Sequence, residues 1–379
     1  MTLFDDDAAS RGARRRIDEG RRAPRRLVVG SVALLVALVS LFTMSFLPSD
    51  FVLERPGPVY NTLGEVESGE GELVSLIAVD GAETFDTTGS LSLTTVEVVG
   101  NREHPISWIE LALAWMDPAR AIVPIDAVFP EGLTSEQRDE QNAVMMTDSQ
   151  SQASAAALRA LDYDVPADMR VVSLTDGSPS QGVVEEGDRI LAADGTRLAD
   201  VDELRAVIDA AAGDPVELRL ERDGERRTVE VTPERLTVDG SDSWAVGVSI
   251  STSYELPIDV TIQLDNVGGP SAGTMFALGI IDALTPGEMT GGEHIAGTGT
   301  ITIDGDVGRI GGIRQKMHGA REAGNSYFLA PTGNCDEVVG HVPDGLQVVS
   351  VATLDDAISA VEAIAEGEAA SLPACTPGG

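Results

Sequence analysis

The chain has 379 residues, a formal net charge of −36 and 42% apolar residues. That length gives room for two or three domains, and the apolar fraction is large enough for a hydrophobic core. A body this acidic repels nucleic acid, and the sequence has no basic patch or aromatic-interleaved stripe that would bind it. The acid excess is typical of a solubility feature and favours that interpretation over a specific cation-binding role.

An arginine-rich tail at 1–26 precedes an uncharged apolar run at 27–47. The tail carries eight Arg and five acidic residues, and the run is 21 residues long. A helix of that length crosses about 30 Å of hydrocarbon. A signal peptide would have a shorter apolar core and an A-x-A-like cleavage site, which this run lacks. The pattern predicts an uncleaved, single-pass anchor in the cell membrane, with the N-terminus cytoplasmic and the remainder extracytoplasmic.

The N-terminal extracytoplasmic region, 48–165, alternates β-branched and helix-forming stretches. Its predicted elements are strands at 73–80 and 91–99, helices at 107–116 and 149–161, and a polar loop or helix start at 130–141.

The next unit, 166–236, reads as strand, turn, strand, helix and hairpin. Its sequences G-S-P-S (177–180) and E-G-D-R-I-L (186–191) resemble those of bacterial PDZ domains. The resemblance implies that an extended peptide adds as a strand between Arg170–Leu174 and the helix at 199–212. The preceding loop is acidic, whereas PDZ domains that capture a C-terminal carboxylate have an apolar, Gly-containing loop there. Peptide recognition and a purely structural spacer therefore both stay open.

A candidate nucleophile, Ser271, lies between a predicted strand at 256–264 and an apolar helix. Its flanking sequence is G-G-P-S-A-G (268–273). Unpaired backbone N–H groups at a strand-to-helix junction, together with the helix dipole, suit a developing oxyanion. Gly269 and Ala272 would supply backbone near that oxyanion site. An ordinary helix N-cap is the alternative role for Ser271.

Lys316 is the single lysine among 26 Lys and Arg residues, and it follows Ser271 by 45 positions. Arginine cannot release its proton at a workable pH, whereas a buried lysine can. The motif around Lys316 predicts the start of a helix, where the dipole and burial both lower an amine pKa. A lysine acting as general base requires such a lowered pKa.

Three motifs occur in order, namely G-G-P-S-A-G, T-G-T-I-T-I-D-G-D-V (298–307) and I-G-G-I-R-Q-K (310–316). Over about 256–350 they resemble the proteolytic domain of Lon peptidases. The resemblance implies an α+β domain in which Ser271 is the nucleophile, Lys316 is the base and Thr298 orients the lysine amine. Many Lon enzymes carry an aspartate where this chain has Gly268, and Asp265 is a candidate to take over its role.

The arrangement of anchor, PDZ-like unit and Lon-type domain (237–368), with a short tail at 369–379, resembles the membrane-bound PDZ–Lon proteins of Gram-positive bacteria. Strands before residue 100 and the helix at 149–161 resemble the start of a Lon domain. The PDZ-like unit therefore lies either inside that domain or before it. The sequence has no phosphate-binding loop, which predicts an ATP-independent serine endopeptidase without a cofactor. Its substrates would be extracytoplasmic or membrane-associated proteins, and the resemblance extends to hexameric self-association.

The two cysteines, Cys335 and Cys375, both fall on the predicted outer side, where an oxidising compartment favours a disulfide between them. Two cysteines are too few for a four-cysteine zinc cluster. The four histidines form no H-E-x-x-H motif, so we predict no metal site.

Two other functions fit parts of the sequence. The sequence G-P-S-A-G also fits the nucleophile elbow of α/β-hydrolases, with His318 or His341 as the triad histidine of an esterase. Only 108 residues follow Ser271, and the expected βα units are not evident there. The second alternative is a non-catalytic PDZ scaffold with a degenerate Lon-like part. The sequence specifies neither the substrate, nor the cleavage preference, nor the oligomeric state.

Overall fold

The computed structural model describes residues 25–376, except 70, 131, 133, 199, 239, 240, 265 and 266. The tail before residue 25 and Asp265 therefore lie outside the described residues. The helices are α1 Arg25–Phe46, α2 Trp108–Ala114, α3 Ile125–Val128, α4 Ser135–Ala160, α5 Val201–Ala211, α6 Gly273–Leu284, α7 Ile313–Glu322, α8 Cys335–Val338 and α9 Leu354–Ala365. The strands are β1 Phe51–Asn61, β2 Glu65–Glu67, β3 Leu73–Ser75, β4 Ile77–Asp80, β5 Ser90–Val99, β6 Ala121–Pro124, β7 Ala167–Leu174, β8 Arg189–Ala193, β9 Thr196–Arg197, β10 Val216–Arg222, β11 Glu225–Val231, β12 Glu234–Val238, β13 Ser241–Ala245, β14 Val248–Tyr254, β15 Asp259–Ile262, β16 His294–Gly297, β17 Thr300–Ile301, β18 Val307–Gly308, β19 Tyr327–Pro331 and β20 Gln347–Val351.

One mixed sheet has the strand order β20-β19-β16-β5-β1-β6. Strand β1 runs antiparallel to β5 and β6, whereas β5, β16, β19 and β20 are mutually parallel. Its strands come from 51–124 and from 294–351, so two distant parts of the chain build one sheet. The fold is mixed α and β, as predicted.

A second sheet lies between those two parts in the sequence, with the order β11-β10-β8-β7-β14. Its neighbours are antiparallel, and it has its own core, which includes Val171, Ile190 and Leu218. Strand β14 extends this unit beyond residue 236. The Glu255 N–H donates to the Pro166 carbonyl at 3.0 Å, so the two ends of the unit meet.

The mixed sheet has helices on both faces because its strands alternate apolar side chains between the two sides. Ile295 of β16 packs with α6 on one side, whereas the adjacent Ala296 packs with Ile313 and Met317 of α7 on the other. Helix α6 is buried from Gly273 to Asp282. It therefore forms the centre of the larger core, between the sheet and helices α4 and α9.

Helix α1 is uncharged from Leu27 onward, and its side chains from Val28 to Ser45 are exposed. Its window Val28–Ser45 has a mean hydropathy of 2.3 and is 0% buried. It is the one helix in the described part of the chain that is long and apolar enough to cross a bilayer. A signal sequence near an N-terminus would have the same composition.

Two elements differ from the sequence prediction. Helix α4 is one continuous helix from Ser135 to Ala160, so it joins the possible helix start at 130–141 to the predicted helix at 149–161; Thr134 and Gln137 form a reciprocal capping box at its start. The predicted strand at 73–80 is divided at Leu76, whose side chain is fully buried and whose N–H donates to Gly64 O at 2.9 Å. That turn directs β3 and β4 to different partners.

A disulfide joins Cys335 and Cys375, which are 40 residues apart. Cys335 is buried, and Cys375 packs against the core cluster that contains Met317 of α7. The C-terminal tail is thereby fixed next to the helix that carries Lys316.

Candidate active site

Ser271 lies in the loop between β15 and α6, two residues before the helix begins. Its carbonyl oxygen accepts the Gly299 N–H at 2.9 Å and the Thr298 hydroxyl at 2.8 Å. Both donors follow directly on β16. The end of this strand therefore fixes the backbone of Ser271 from one side.

Helix α4 fixes the same loop from the other side. The Gly269 N–H donates to Asn142 O at 2.9 Å, and the Ser149 hydroxyl donates to Pro270 O at 3.0 Å. Sequence reasoning missed Asn142 and Ser149, because they lie more than 100 residues upstream in a polar helix. Asn142 acts through its backbone carbonyl, which any residue would supply, so only the Ser149 hydroxyl could have given a sequence signal.

The same contact explains why this chain has Gly268 where many Lon enzymes have aspartate. A Cβ atom on Gly268 would lie 2.6 Å from the Cβ of Asn142, well inside van der Waals contact. Helix α4 thus occupies the space that a side chain at 268 would need.

Lys316 lies in the first turn of α7, and Gly312 is the N-cap of that helix. Gly312 has φ +67°, and a Cβ atom there would lie 2.6 Å from Val96 Cγ2. Both restrictions favour glycine. The loop before the helix is held by Asn334. The Asn334 side chain accepts the Ile310 N–H at 3.0 Å and donates to the Ile310 carbonyl at 2.9 Å.

The lysine amine meets the candidate nucleophile directly. Lys316 Nζ lies 2.6 Å from Ser271 Oγ and 2.9 Å from Thr298 Oγ1. The lysine is 3% exposed, and burial lowers its pKa from 10.5 to about 7. Because an ammonium loses its hydration in such a site, a large fraction of the amine is neutral near pH 7.

The hydroxyl of Thr298 determines how a neutral amine is oriented. Its proton is donated to Ser271 O, so its oxygen accepts an N–H from Lys316. A neutral amine has one lone pair and two N–H groups. With one N–H directed at Thr298, the lone pair is free to accept the Ser271 hydroxyl proton.

The two backbone positions predicted near the oxyanion site differ in whether their N–H group is free to donate to a substrate oxygen. The Gly269 N–H already donates to Asn142 O, so Gly269 contributes backbone beside the site but no free N–H donor. Within the described residues, the N–H of Ala272 donates to no acceptor that would compete with a substrate oxygen. Ala272 immediately precedes α6, where helix-terminal donors are unpaired.

A cleft of about 530 Å³ opens over Ser271 and Lys316. Residues 94–98 of β5 form one wall, and Asn142 and Met146 of α4 form the other. Strand β16 pairs with β5 only as far as Leu93, so β5 continues past its neighbour along the cleft. A segment of extended chain fits this shape.

Neither histidine of the esterase alternative takes the position of the base. His341 is exposed, and its ring bonds the Val339 carbonyl at 3.1 Å, whereas Lys316 occupies the position beside Ser271 Oγ. Among the described residues, no group of three or more His, Cys, Asp or Glu side chains could hold a metal ion.

The PDZ-like groove offers a shorter free edge than the sequence suggests. Strand β14 covers one edge of β7, and β8 pairs with the other edge at Met169 and Arg170. Val171 exchanges backbone hydrogen bonds with the turn at Gly187 and Asp188, at 2.8 and 2.9 Å. In the described part of the chain, this leaves residues 172–174 for an added strand.

Comparison with known proteins agrees with the geometry. Residues 258–363 match the family described as the Lon protease (S16) C-terminal proteolytic domain, and residues 141–232 match the PDZ domain family. The Archaeal Lon protease of Methanothermobacter thermautotrophicus is 34% identical over 114 residues, covering 30% of this chain and 17% of the relative. The Lon protease of Clostridioides difficile is 37% identical over 93 residues, covering 24% of this chain and 12% of the relative. The chain thus spans less than a fifth of the length of these curated relatives.

Among solved structures, the PDZ domain of the SdrC-like protein from Listeria monocytogenes matches at 20% identity with a TM-score of 0.20, covering 22% of this chain and 86% of that chain. The buried Ser–Lys contact and the family matches define a serine peptidase domain. More specifically, the chain carries a Lon-type proteolytic domain together with a PDZ domain. The resemblance drawn from the three sequence motifs is confirmed.

Proposed function

We propose that the chain is a membrane-anchored serine endopeptidase that cleaves extracytoplasmic or membrane-associated proteins without ATP. The observation that carries the proposal is the contact of 2.6 Å between Lys316 Nζ and Ser271 Oγ at a lysine whose pKa is lowered to about 7. In a serine–lysine dyad, this contact transfers the proton that activates the nucleophile.

The proposed reaction follows from those positions. Ser271 Oγ attacks the scissile carbonyl carbon while its proton passes to Lys316 Nζ, and the resulting oxyanion faces the Ala272 N–H at the start of α6. The Lys316 ammonium then gives the proton to the leaving amine, and an acyl-enzyme on Ser271 remains. Lys316, neutral again, takes a proton from water as the hydroxide oxygen attacks the acyl carbon. Returning that proton to Ser271 Oγ releases the carboxyl product.

Thr298 has an orienting role in this scheme, supported by its bonds to both Lys316 and Ser271. Substrate would lie as an extended segment along 94–98 of β5, where backbone groups are available beyond the end of β16. The PDZ domain would hold a second segment of substrate or partner at the short edge of β7. Assembly into a ring of six chains is carried over from the Lon resemblance.

The layout of the chain also supports insertion of the PDZ unit into the proteolytic domain. Strands on both sides of 166–255 share one sheet, and the ends of that unit meet at the bond between Pro166 and Glu255. Anchoring by α1 would place everything after Pro48 outside the cytoplasm.

The test compares wild-type protein with Ser271→Ala on an unfolded protein substrate, with and without ATP. We expect nucleotide-independent cleavage by the wild type, none by the variant, and unchanged peptide binding by both. A strict ATP requirement would contradict the proposed independence from ATP. Cleavage that survives Ser271→Ala would remove Ser271 from the mechanism, and a wild type that binds peptide without cleaving it would indicate a scaffold. Protease added to intact cells should digest residues after Pro48 and spare the N-terminal tail.

A further inference from the structure

Helix α2 is apolar on both of its faces. Between Trp108 and Met116 the one charged residue is Glu110, and its carboxylate accepts the N–H and hydroxyl of Ser107 at 2.8 and 2.9 Å. The inner face packs on the sheet through Leu111 and Ala114, next to Leu53. A helix that is hydrophobic all round is normally covered on all sides.

The outer side of α2, together with the turn that follows it at Trp115 and Met116, has no such cover within the described residues. Trp115 is 85% exposed, Met116 is 83% exposed and Leu113 is 65% exposed. Isolated exposed apolar side chains are common, but a contiguous apolar group that includes a tryptophan indicates an interaction surface. Leu113, Trp115 and Met116 are called the outer patch below.

The position of the outer patch indicates what covers it. Helix α1 ends at Phe46, and α1 and α2 are in contact. The Ser49 N–H and hydroxyl both donate to Ile106 O, at 3.1 and 2.9 Å, and Pro48 forms a β-bridge with Ser107. The patch therefore lies at the far end of a two-turn helix whose first residues adjoin the end of the candidate membrane span. The polar layer of a bilayer is roughly 5–8 Å thick on each side of the hydrocarbon, and tryptophan concentrates in it.

Local charge is consistent with a lipid surface. The whole chain carries −36, which disfavours approach to a membrane that contains anionic lipids. Glu110 is the one charged residue in 105–116, and its carboxylate is bound by Ser107. Asp117, the next residue along the chain, forms an ion pair with Arg120 at 2.9 Å. The outer patch is thus a nearly neutral surface on an otherwise acidic molecule.

We infer that the outer patch lies in the interfacial layer of the bilayer that α1 spans, so that α2 seats the catalytic sheet against the membrane surface. The inference rests on the proposed anchoring by α1. It adds a second, interfacial contact and makes the lipid bilayer, rather than a second copy of the chain, the partner of this surface.

Fluorescence provides the test, because the chain has three tryptophans, Trp108, Trp115 and Trp244. The double variant Trp108→Phe/Trp244→Phe leaves Trp115 as the reporter. The matched control, Trp108→Phe/Trp115→Phe, leaves Trp244 of the PDZ unit. Both full-length variants are reconstituted into phosphatidylcholine vesicles with and without brominated acyl chains. Thermal melts and peptidase rates check that each variant folds.

We expect blue-shifted Trp115 emission that falls by about half in brominated vesicles, because bromine quenches tryptophans seated at the interface, while Trp244 emission is unchanged. Equal quenching of the two reporters overturns the inference. Blue-shifted Trp115 emission without quenching also overturns it, because a second protein copy then covers the patch. Vesicle flotation distinguishes failure of the proposed anchor from failure of the interfacial contact. A chain that does not float with lipid refutes the anchor and this inference together, whereas one that floats without Trp115 quenching refutes the inference alone.

Discussion

Lys316 is a buried basic side chain without an acidic partner. It forms no salt bridge in the described part of the chain, and its amine forms hydrogen bonds with the hydroxyls of Ser271 and Thr298. A permanently charged group in such a site would cost several kcal/mol of desolvation without compensation. A lysine can relieve that cost by releasing its proton, whereas an arginine cannot.

Replacing Lys316 by arginine should therefore abolish turnover as completely as replacing it by alanine. General-base catalysis is worth about 10²–10⁴-fold in rate, and guanidinium cannot accept the Ser271 proton. Peptidase rates for wild type, Lys316→Arg and Lys316→Ala test this, with thermal melts as the control for folding. A folded Lys316→Arg protein that keeps a substantial part of the activity would exclude Lys316 as the base.

The lowered pKa of Lys316 also predicts how activity and stability depend on pH. Activity requires the neutral amine and should fall as the pH drops through about 7. Since the unfolded lysine titrates near 10.5, the unfolded state binds the extra proton between pH 7 and 10.5. Stability should therefore rise with pH across that window, by an amount on the order of 5 kcal/mol.

Lys316→Met is the matched control for that stability change, because it keeps the volume of the side chain and removes its titration. The free energy of unfolding, measured in urea at pH values from 7 to 10.5, should increase more for the wild type than for Lys316→Met. Parallel pH profiles for the two proteins would show that Lys316 is not buried as a neutral amine.

The residues to which we assign bond making were predictable from the sequence, whereas those that position them were not. Ser271, Thr298 and Lys316 lie in short motifs whose chemistry is specific. Asn142 and Ser149 act on the Ser271 loop across more than 100 residues of chain. No local pattern encodes such a contact, which appears only after α4 packs on α6.

At the level of secondary structure, the cap of α7 determines where the lysine amine lies. Gly312 adopts φ +67° with Val96 directly above it. Changing Gly312 to alanine should cost roughly 1–2 kcal/mol for the left-handed backbone alone, and contact with Val96 should displace the first turn of the helix. We expect a lower melting temperature and a larger fall in peptidase rate than the lost stability explains.

Gly311→Ala is the control for stability, because nothing lies within 4 Å of a Cβ atom there. Melting curves for the two variants should differ clearly. If Gly312→Ala melts and turns over like Gly311→Ala, the cap does not position Lys316.

Single elements were predicted well wherever their periodicity was strong. Helix α6 and the hairpin of β10 and β11 fall where the apolar pattern and the Asp223–Gly224 turn place them. The start of α4 was left open between a loop and a helix although its capping pair, Thr134 and Gln137, is visible in the sequence, because a polar first half hides the helical period. Strand partners were less accessible, since pairing depends on the packing of the whole domain.

At the scale of the whole molecule, the mixed sheet beside the Ser271–Lys316 contact is discontinuous in sequence. The family match at 258–363 contains Ser271, Thr298 and Lys316, yet β1 and β5 come from the segment before the PDZ unit. Strand β5 lies between β16 and β1 and carries Leu91 and Leu93 of the larger core. The matched segment alone therefore lacks half of its sheet.

This discontinuity predicts opposite outcomes for two deletions. Joining Val165 to Leu256 through a short Gly-Ser linker removes the PDZ unit but keeps all strands of the mixed sheet. The linker has little distance to cover, because Pro166 O and Glu255 N are 3.0 Å apart, and a short loop costs little closure entropy. We expect this variant to melt cooperatively and to cleave short peptides with the wild-type pH profile. The fragment 256–379, which retains the dyad without β1 and β5, should show no cooperative melt and no activity.

Circular dichroism melts and peptidase assays on the two deletion variants, beside the full chain, provide the measurement. Loss of cooperative melting on excising 166–255 would show that the PDZ unit is part of the proteolytic core rather than an insertion into it. A folded, active 256–379 fragment would show that the strands before residue 100 are dispensable. Either result would also change how the PDZ unit could regulate cleavage. An inserted unit follows α4 and precedes β15 in the chain, so it is joined at one end to the helix that bonds the Ser271 loop and at the other to the strand that leads into that loop.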